Sequence, residues 1–152
     1  MSPNTWGPPT WLFLHTLAQN IKDSQFSKIK EDIIQSIIFM CRYLPCPTCA
    51  THAIQFWNSI DRQRIRNKRD LINVLFMFHN TVNKRVGKPR FIYDSLPLVY
   101  GNKNIIVTFN ECARTFHTKG NMKLVADAMH RRRALEHMRK CIIQNAQHFD
   151  FP

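Results

Sequence analysis

The sequence predicts an all-α fold, a four-helix bundle with additional C-terminal helices. Apolar residues recur at helical spacing through long segments, and short breaks of Pro, Gly or clustered polar residues separate those segments. The 152 residues include only 4 glycines, and neither GxGxxG nor GxxxxGK[ST] occurs, which argues against the common nucleotide-binding α/β folds. With 44% hydrophobic and 11% aromatic residues, a chain of this length forms a real core within one domain.

The first helix is predicted over residues 6–21. Pro8 and Pro9 suit a first turn, where a missing N–H costs nothing, and Trp11, Leu14, His15 and Ala18 then share one face. Asp23-Ser24 breaks the pattern. Ser27 is a candidate cap for a second helix that reaches Tyr43, with Ile29, Ile33, Ile37 and Met40 in one stripe, and Pro45 ends it. A third helix begins inside Cys46-Pro47-Thr48-Cys49 and carries His52, Ala53, Phe56 and Trp57. Residues 61–70 form a polar connection with five Arg or Lys residues. The fourth helix covers about 70–85 and turns Leu71, Val74, Leu75, Phe78, His79 and Val82 inward. Gly87 caps it and Pro89 stops it.

Residues 90–110 are less regular. Pro97, Gly101 and several asparagines mark turns. Ile105-Ile106-Val107-Thr108-Phe109 is β-rich in composition but has no partner strand, so it reads as a loop or the lead into a helix from about Glu111. A last helix over 123–147 spaces Leu124, Ala128, Leu135, Met138 and Ile142 for packing. Its other face carries Arg131, Arg132, Arg133, Arg139 and Lys140. The expected organisation is a core over 1–91 and a helical extension over 92–152 packed on it in the same domain.

The formal net charge of +12 permits binding to nucleic acid, acidic proteins or anionic surfaces without requiring any of them. The five cysteines, at 41, 46, 49, 112 and 141, are odd in number and too sparse for a disulfide-stapled scaffold. The opening Met1-Ser2-Pro3-Asn4-Thr5-Trp6 lacks a basic stretch followed by an apolar one, and no apolar run has membrane-spanning length; the expectation is a soluble chain made without a cleaved signal.

Chemistry centres on Cys46-Pro47-Thr48-Cys49. Two cysteines at this spacing close a small disulfide at a helix start, where free N–H groups and the positive dipole end favour a thiolate. A thiolate of lowered pKa suits redox exchange. The same spacing is also half of a zinc site, but Cys41, Cys112 and Cys141 supply no second CxxC, so no metal is expected.

Three groups of residues extend this pattern in order: Trp6-Gly7-x-x-x-Trp11 with Leu14-His15-x-x-Ala18; Leu44-Pro45-Cys46-x-x-Cys49-x-x-His52; and His79-Asn80-x-Val82-Asn83 with Gly87-Lys88-Pro89-x-Phe91. In this combination, over residues 6–91, the sequence resembles the Erv/ALR family of FAD-dependent sulfhydryl oxidases, most of all its compact viral members. The resemblance implies a four-helix bundle with a short fifth helix, FAD held at one end, and frequent dimerisation. It implies that two electrons pass from a substrate dithiol to the CxxC disulfide, to FAD and to O2, giving a disulfide and H2O2. Cys46 would then be the interchange cysteine and Cys49 the one beside the flavin. Trp6, Gly7, Trp11 and His15 would line the cofactor pocket. His79, Asn80, Val82 and Asn83 would pack on adenine and hold the ribose and diphosphate, with Arg85 and Lys88 as cations for the diphosphate. Tyr43 and His52 would shape the flavin pocket, and Tyr100 stands about where the family has a tryptophan.

There are departures from the family pattern. Ile92-Tyr93-Asp94 lacks the cysteine of a structural disulfide found in cellular members, Leu44 replaces a frequent Tyr, and no second CxxC serves as a shuttle. Cys112 and Cys141 remain open as a tail disulfide, a shuttle pair or free buried thiols. The expected partners are dithiol proteins, with a thioredoxin-like carrier among them, O2, and a second copy of the chain. The expected location is a virion or host cytoplasm, with a mitochondrial intermembrane space as the alternative. The competing reading is a basic module that binds nucleic acid or an acidic partner through the last helix.

Overall fold

In the computed structural model, which describes residues 3–116 and 122–152, the chain is all-α. Its helices are α1 (Pro3–Gln19), α2 (Phe26–Arg42), α3 (Pro47–Asn58), α4 (Lys68–Val86), α5 (Leu96–Tyr100), α6 (Ile105–Thr115) and α7 (Met122–Gln144). None of the described helices is long and apolar enough to cross a membrane.

The first four helices fall close to where periodicity puts them, with different reasons at two starts. Helix α1 begins at Pro3, so Pro8 and Pro9 lie inside it, past the first turn, and each removes a helical hydrogen bond. Ser27 does not cap α2. A 3₁₀ turn over Asp23–Gln25 runs straight into the helix, and the Phe26 N–H donates to the Asp23 carbonyl, so backbone does the work expected of a side chain. The connection before α4 ends at Asn67, whose Oδ1 accepts from the Asp70 N–H at 2.8 Å. Gly87 closes α4 at φ 75°, a left-handed conformation that favours glycine.

The largest departure is α6. The β-rich run is not a loop: it is the first half of a helix that starts at Ile105. The Asn104 Oδ1 accepts from the N–H groups of Ile106 at 2.9 Å and Val107 at 3.1 Å, which starts the helix. Ile105, Thr108, Phe109 and Cys112 are then buried at spacings of three and four residues. Burial on one face outweighs the weak β preference of the individual residues.

Helix α1 packs on α4 and α6, and α2 on α3 and α7. Phe13 and Phe109, edge to face at 5.2 Å, join α1 to α6. Each fully buried ring of this kind contributes roughly 2–3 kcal/mol. On α7 the expected stripe of Leu135, Met138 and Ile142 is buried, together with Ala134 and Cys141, while Leu124 lies outside the described side chains. Arg131 is buried as well, so it leaves the basic outer face to which its position in the sequence assigned it. Ser36 Oγ and His137 Nδ1, 2.9 Å apart, tie α2 to α7. The chain end returns to α1: the Lys22 N–H donates to the His148 carbonyl at 2.8 Å and the Asp150 N–H to the Asn20 carbonyl at 2.7 Å.

Candidate active site

Cys46 and Cys49 form a disulfide, with their Cα atoms 5.2 Å apart. Cys46 is the N-cap of α3, in extended conformation, and Pro47 opens the helix. The Cys46 Sγ accepts from the Cys49 N–H at 3.2 Å, so this sulfur sits at the positive end of α3. In the reduced pair that environment favours a Cys46 thiolate.

A cavity of about 500 Å³ opens beside the disulfide, and Cys49 lines it while Cys46 does not. That volume falls in the range of ligand clefts. Helix α1 contributes Trp6, Gly7 and Trp11 to the wall, and α3 contributes His52. Val82, Asn83, His79 and Arg85 enter from α4, Lys88 follows them, and Tyr100 closes the wall from α5.

Flat rings organise this space. The Trp11 ring stacks on His79 with centroids 4.2 Å apart and an interplanar angle of 8°. His15 lies behind them and is not part of the wall; its ring stacks on Tyr100 at 4.7 Å and on Phe91 at 5.9 Å. His15 Nε2 and His79 Nδ1 are 2.8 Å apart, so one ring donates and the other accepts. Burial, and then His79, push the His15 pKa down to about 3. Burial, and then Lys88, push His79 down to about 4. Both imidazoles are therefore neutral at neutral pH, and the cavity's cations, Arg85 and Lys88, are exposed.

Two of the residues singled out from the sequence do other things here. The Asn80 Oδ1 accepts from the Phe91 N–H at 2.7 Å and its Nδ2 donates to the Phe91 carbonyl at 3.3 Å, which fixes the segment after α4 against the cavity. Tyr43 does not line the first cavity; it lines a second one of about 450 Å³ with Arg42, Asp127 and Arg131.

Cys41, Phe78 and Ala53 also line the first cavity. The sequence places Ala53 on the third helix and turns Phe78 inward on the fourth, but gives none of the three a place in a cavity. Burial pushes the Cys41 thiol up to about 12 and, with Thr10 opposing, the Cys112 thiol up to about 12. Burial also raises Cys141. All three are free and buried, so Cys112 and Cys141 form no tail disulfide, and Cys46–Cys49 is the one disulfide among the described cysteines.

The Erv1 / Alr family model matches residues 8–100 of this chain. An FAD-linked sulfhydryl oxidase of African swine fever virus is 33% identical over 95 residues, which cover 62% of this chain and 79% of that protein. An FAD-linked sulfhydryl oxidase of Arabidopsis thaliana is 33% identical over 82 residues, 54% of this chain and 42% of the plant protein. A mitochondrial FAD-linked sulfhydryl oxidase of Schizosaccharomyces pombe is 29% identical over 87 residues, 56% of this chain and 47% of the yeast protein. No solved structure gives a significant match. The family match takes in the disulfide and the residues lining the first cavity from Pro8 to Tyr100, and leaves out Pro3, Trp6 and Gly7: the chain belongs to the Erv1 / Alr family.

Proposed function

We propose that the chain is an FAD-linked thiol oxidase that turns protein dithiols into disulfides. The observation that carries the reading is the Cys46–Cys49 disulfide, with Cys49 on the wall of an aromatic cavity that also carries Arg85 and Lys88, and Cys46 outside it.

The residues present fit FAD. Trp6 lines the cavity, and its buried ring N–H has no hydrogen-bond partner among the described residues, so it offers a donor to a polar ligand edge. Trp11 and His79 present flat rings to an aromatic group, and the neutral His79 imidazole, held from behind by His15, offers a hydrogen bond without charge. Asn83 and Val82 serve the nucleotide end, and Arg85 and Lys88 the diphosphate. When bound there, FAD accepts two electrons from the reduced cysteine pair and passes them to O2, giving H2O2.

The chain's own steps are thiol exchange. A substrate thiolate attacks the Cys46 sulfur, forms a mixed disulfide and releases Cys49 as a thiolate at the cavity wall. The second substrate thiolate attacks the substrate sulfur of the mixed disulfide and releases Cys46. The substrate leaves as a disulfide, and Cys46 and Cys49 hold the two electrons. The α3 N-terminus lowers the cost of Cys46 as leaving thiolate.

Loading with FAD and adding dithiothreitol tests this reading: O2 uptake with one H2O2 per O2 is expected, and an FAD-loaded protein that takes up no O2 overturns it. Family members often dimerise, and we extend that to this chain. Exposed Ile92, Leu98, Ile106 and Val107 supply apolar surface for a second copy. Residues 92–152, whose α6 and α7 pack on α1 and α2, belong to the same folding unit as the core. A virion or host cytoplasm is the proposed location, supported by the viral relative. A thioredoxin-like protein is the proposed carrier.

A further inference from the structure

The second cavity adjoins the segment that carries Cys46, although Cys46 itself is not in its wall. Leu44 and Pro47, which flank Cys46 in sequence, both line it, as do Arg42, Tyr43 and Thr51. Its other wall is α7, which contributes Asp127 and Arg131 and lies beyond the residues that match the family. Cys46 is therefore bordered by a groove that the family core does not build alone.

The groove is held in shape. The Arg131 Nε donates to the Tyr43 carbonyl at 3.0 Å, and the Tyr43 ring stacks on His130 with centroids 5.0 Å apart at 14°. Tyr43 caps α2 three residues before Cys46, so these contacts fix α7 beside the exchange sulfur. The groove's charge is basic: Arg42 and Arg131 stand against the one carboxylate of Asp127, which also acts electrostatically on Arg131. Arg132 and Arg133 are exposed next along α7, and the whole chain carries +12.

We propose that this groove, with Arg42 as a specificity-determining residue, receives an extended segment of the substrate protein in which acidic residues flank the dithiol. The proposal rests on the thiol-oxidase reading for its chemistry and on charge complementarity for its occupant. Docking of the segment brings its thiolate to the exposed side of Cys46, and the basic surface offsets the charge the thiolate brings.

The test uses matched peptides with acidic, neutral or basic residues around a Cys pair, and copies in which Ser replaces both Cys. Fluorescence anisotropy of the Ser copies reads docking without chemistry. The acidic copy is expected to bind at least about tenfold more tightly than the basic one at low salt, with the difference shrinking as salt rises. Arg42→Glu reverses the preference. Arg69→Glu, which makes the same change of net charge on exposed α4 surface outside the groove, leaves it unchanged. Equal binding of all three peptides overturns the proposal, and so does an equal loss in Arg42→Glu and Arg69→Glu, which marks the charge effect as global. Oxidation of dithiothreitol by the same wild-type preparation is read separately: its absence defeats the oxidase reading, whereas its presence with charge-blind peptide binding defeats only the groove.

Discussion

The two cavities beside the Cys46–Cys49 disulfide differ most in their aromatic content. On the Cys49 side are stacked rings, two neutral imidazoles, an indole N–H without a partner among the described residues, and the exposed cations Arg85 and Lys88. On the Cys46 side are two arginines, an aspartate and the C-terminal end of α2. The first environment suits a flat, uncharged ring system that has to be held still; the second suits a charged macromolecular segment that has to arrive and leave. A disulfide between two such environments can exchange with one partner on one face and surrender electrons on the other. The difference also follows the chain. The first cavity comes largely from residues within the family match, with Pro3, Trp6 and Gly7 just before it, and the second needs α7 from beyond it.

The most damaging way to break the comparison is to remove either sulfur. Cys46→Ser and Cys49→Ser are each expected to abolish dithiothreitol-driven O2 uptake in an oxygen electrode while leaving FAD bound. Residual turnover in either variant would mean that electrons bypass the pair. The next largest effect is expected at the inner stack. Trp11→Ala removes the ring against His79, and about 2 kcal/mol of FAD affinity, roughly 30-fold in Kd, should be lost in a fluorescence titration.

A smaller effect follows from the two imidazoles. Their folded pKa values, about 3 for His15 and about 4 for His79, lie below the ordinary 6.5. Below pH 6.5 the unfolded chain binds protons that the folded chain refuses. The stabilisation from keeping these rings neutral is thus complete above pH 6.5 and is lost as pH falls towards 4 and then 3. Each ring adds a slope of about 1.4 kcal/mol per pH unit within that window. Urea unfolding at pH 7 and pH 5 should show the fall, and His15→Phe should reduce it; an undiminished fall in His15→Phe would assign the effect to other groups.

Much of the Cys49 side was legible in the sequence because periodicity and spacing act locally. Trp11, His15 and Ala18 recur along one helix, and Gly87 needs its left-handed turn wherever the helix points. Two kinds of information were not local. Ile105-Ile106-Val107 looks like a strand until Asn104 caps it and α1 offers a face to bury Ile105 and Phe109. Tyr43 adjoins the cysteine motif in sequence, yet its ring meets His130, a contact set by how α7 packs. Asn80 belongs to a nucleotide-like motif, but which backbone its amide meets depends on where the chain goes after Pro89. Arg131 sits in a basic run whose composition alone suggests solvent, and the packing of α7 on α2 buries it.

Electrons are expected to enter at Cys46 and leave through Cys49 toward the aromatic cavity. The most direct test of this route is the visible spectrum of the FAD-loaded protein during anaerobic titration with dithiothreitol, for wild type and Cys49→Ser in parallel. The account predicts that the flavin band of the wild type bleaches and returns on admitting air, while that of Cys49→Ser persists. Bleaching of both proteins at the same rate would contradict it, because the electrons would then reach the cofactor without passing through the disulfide.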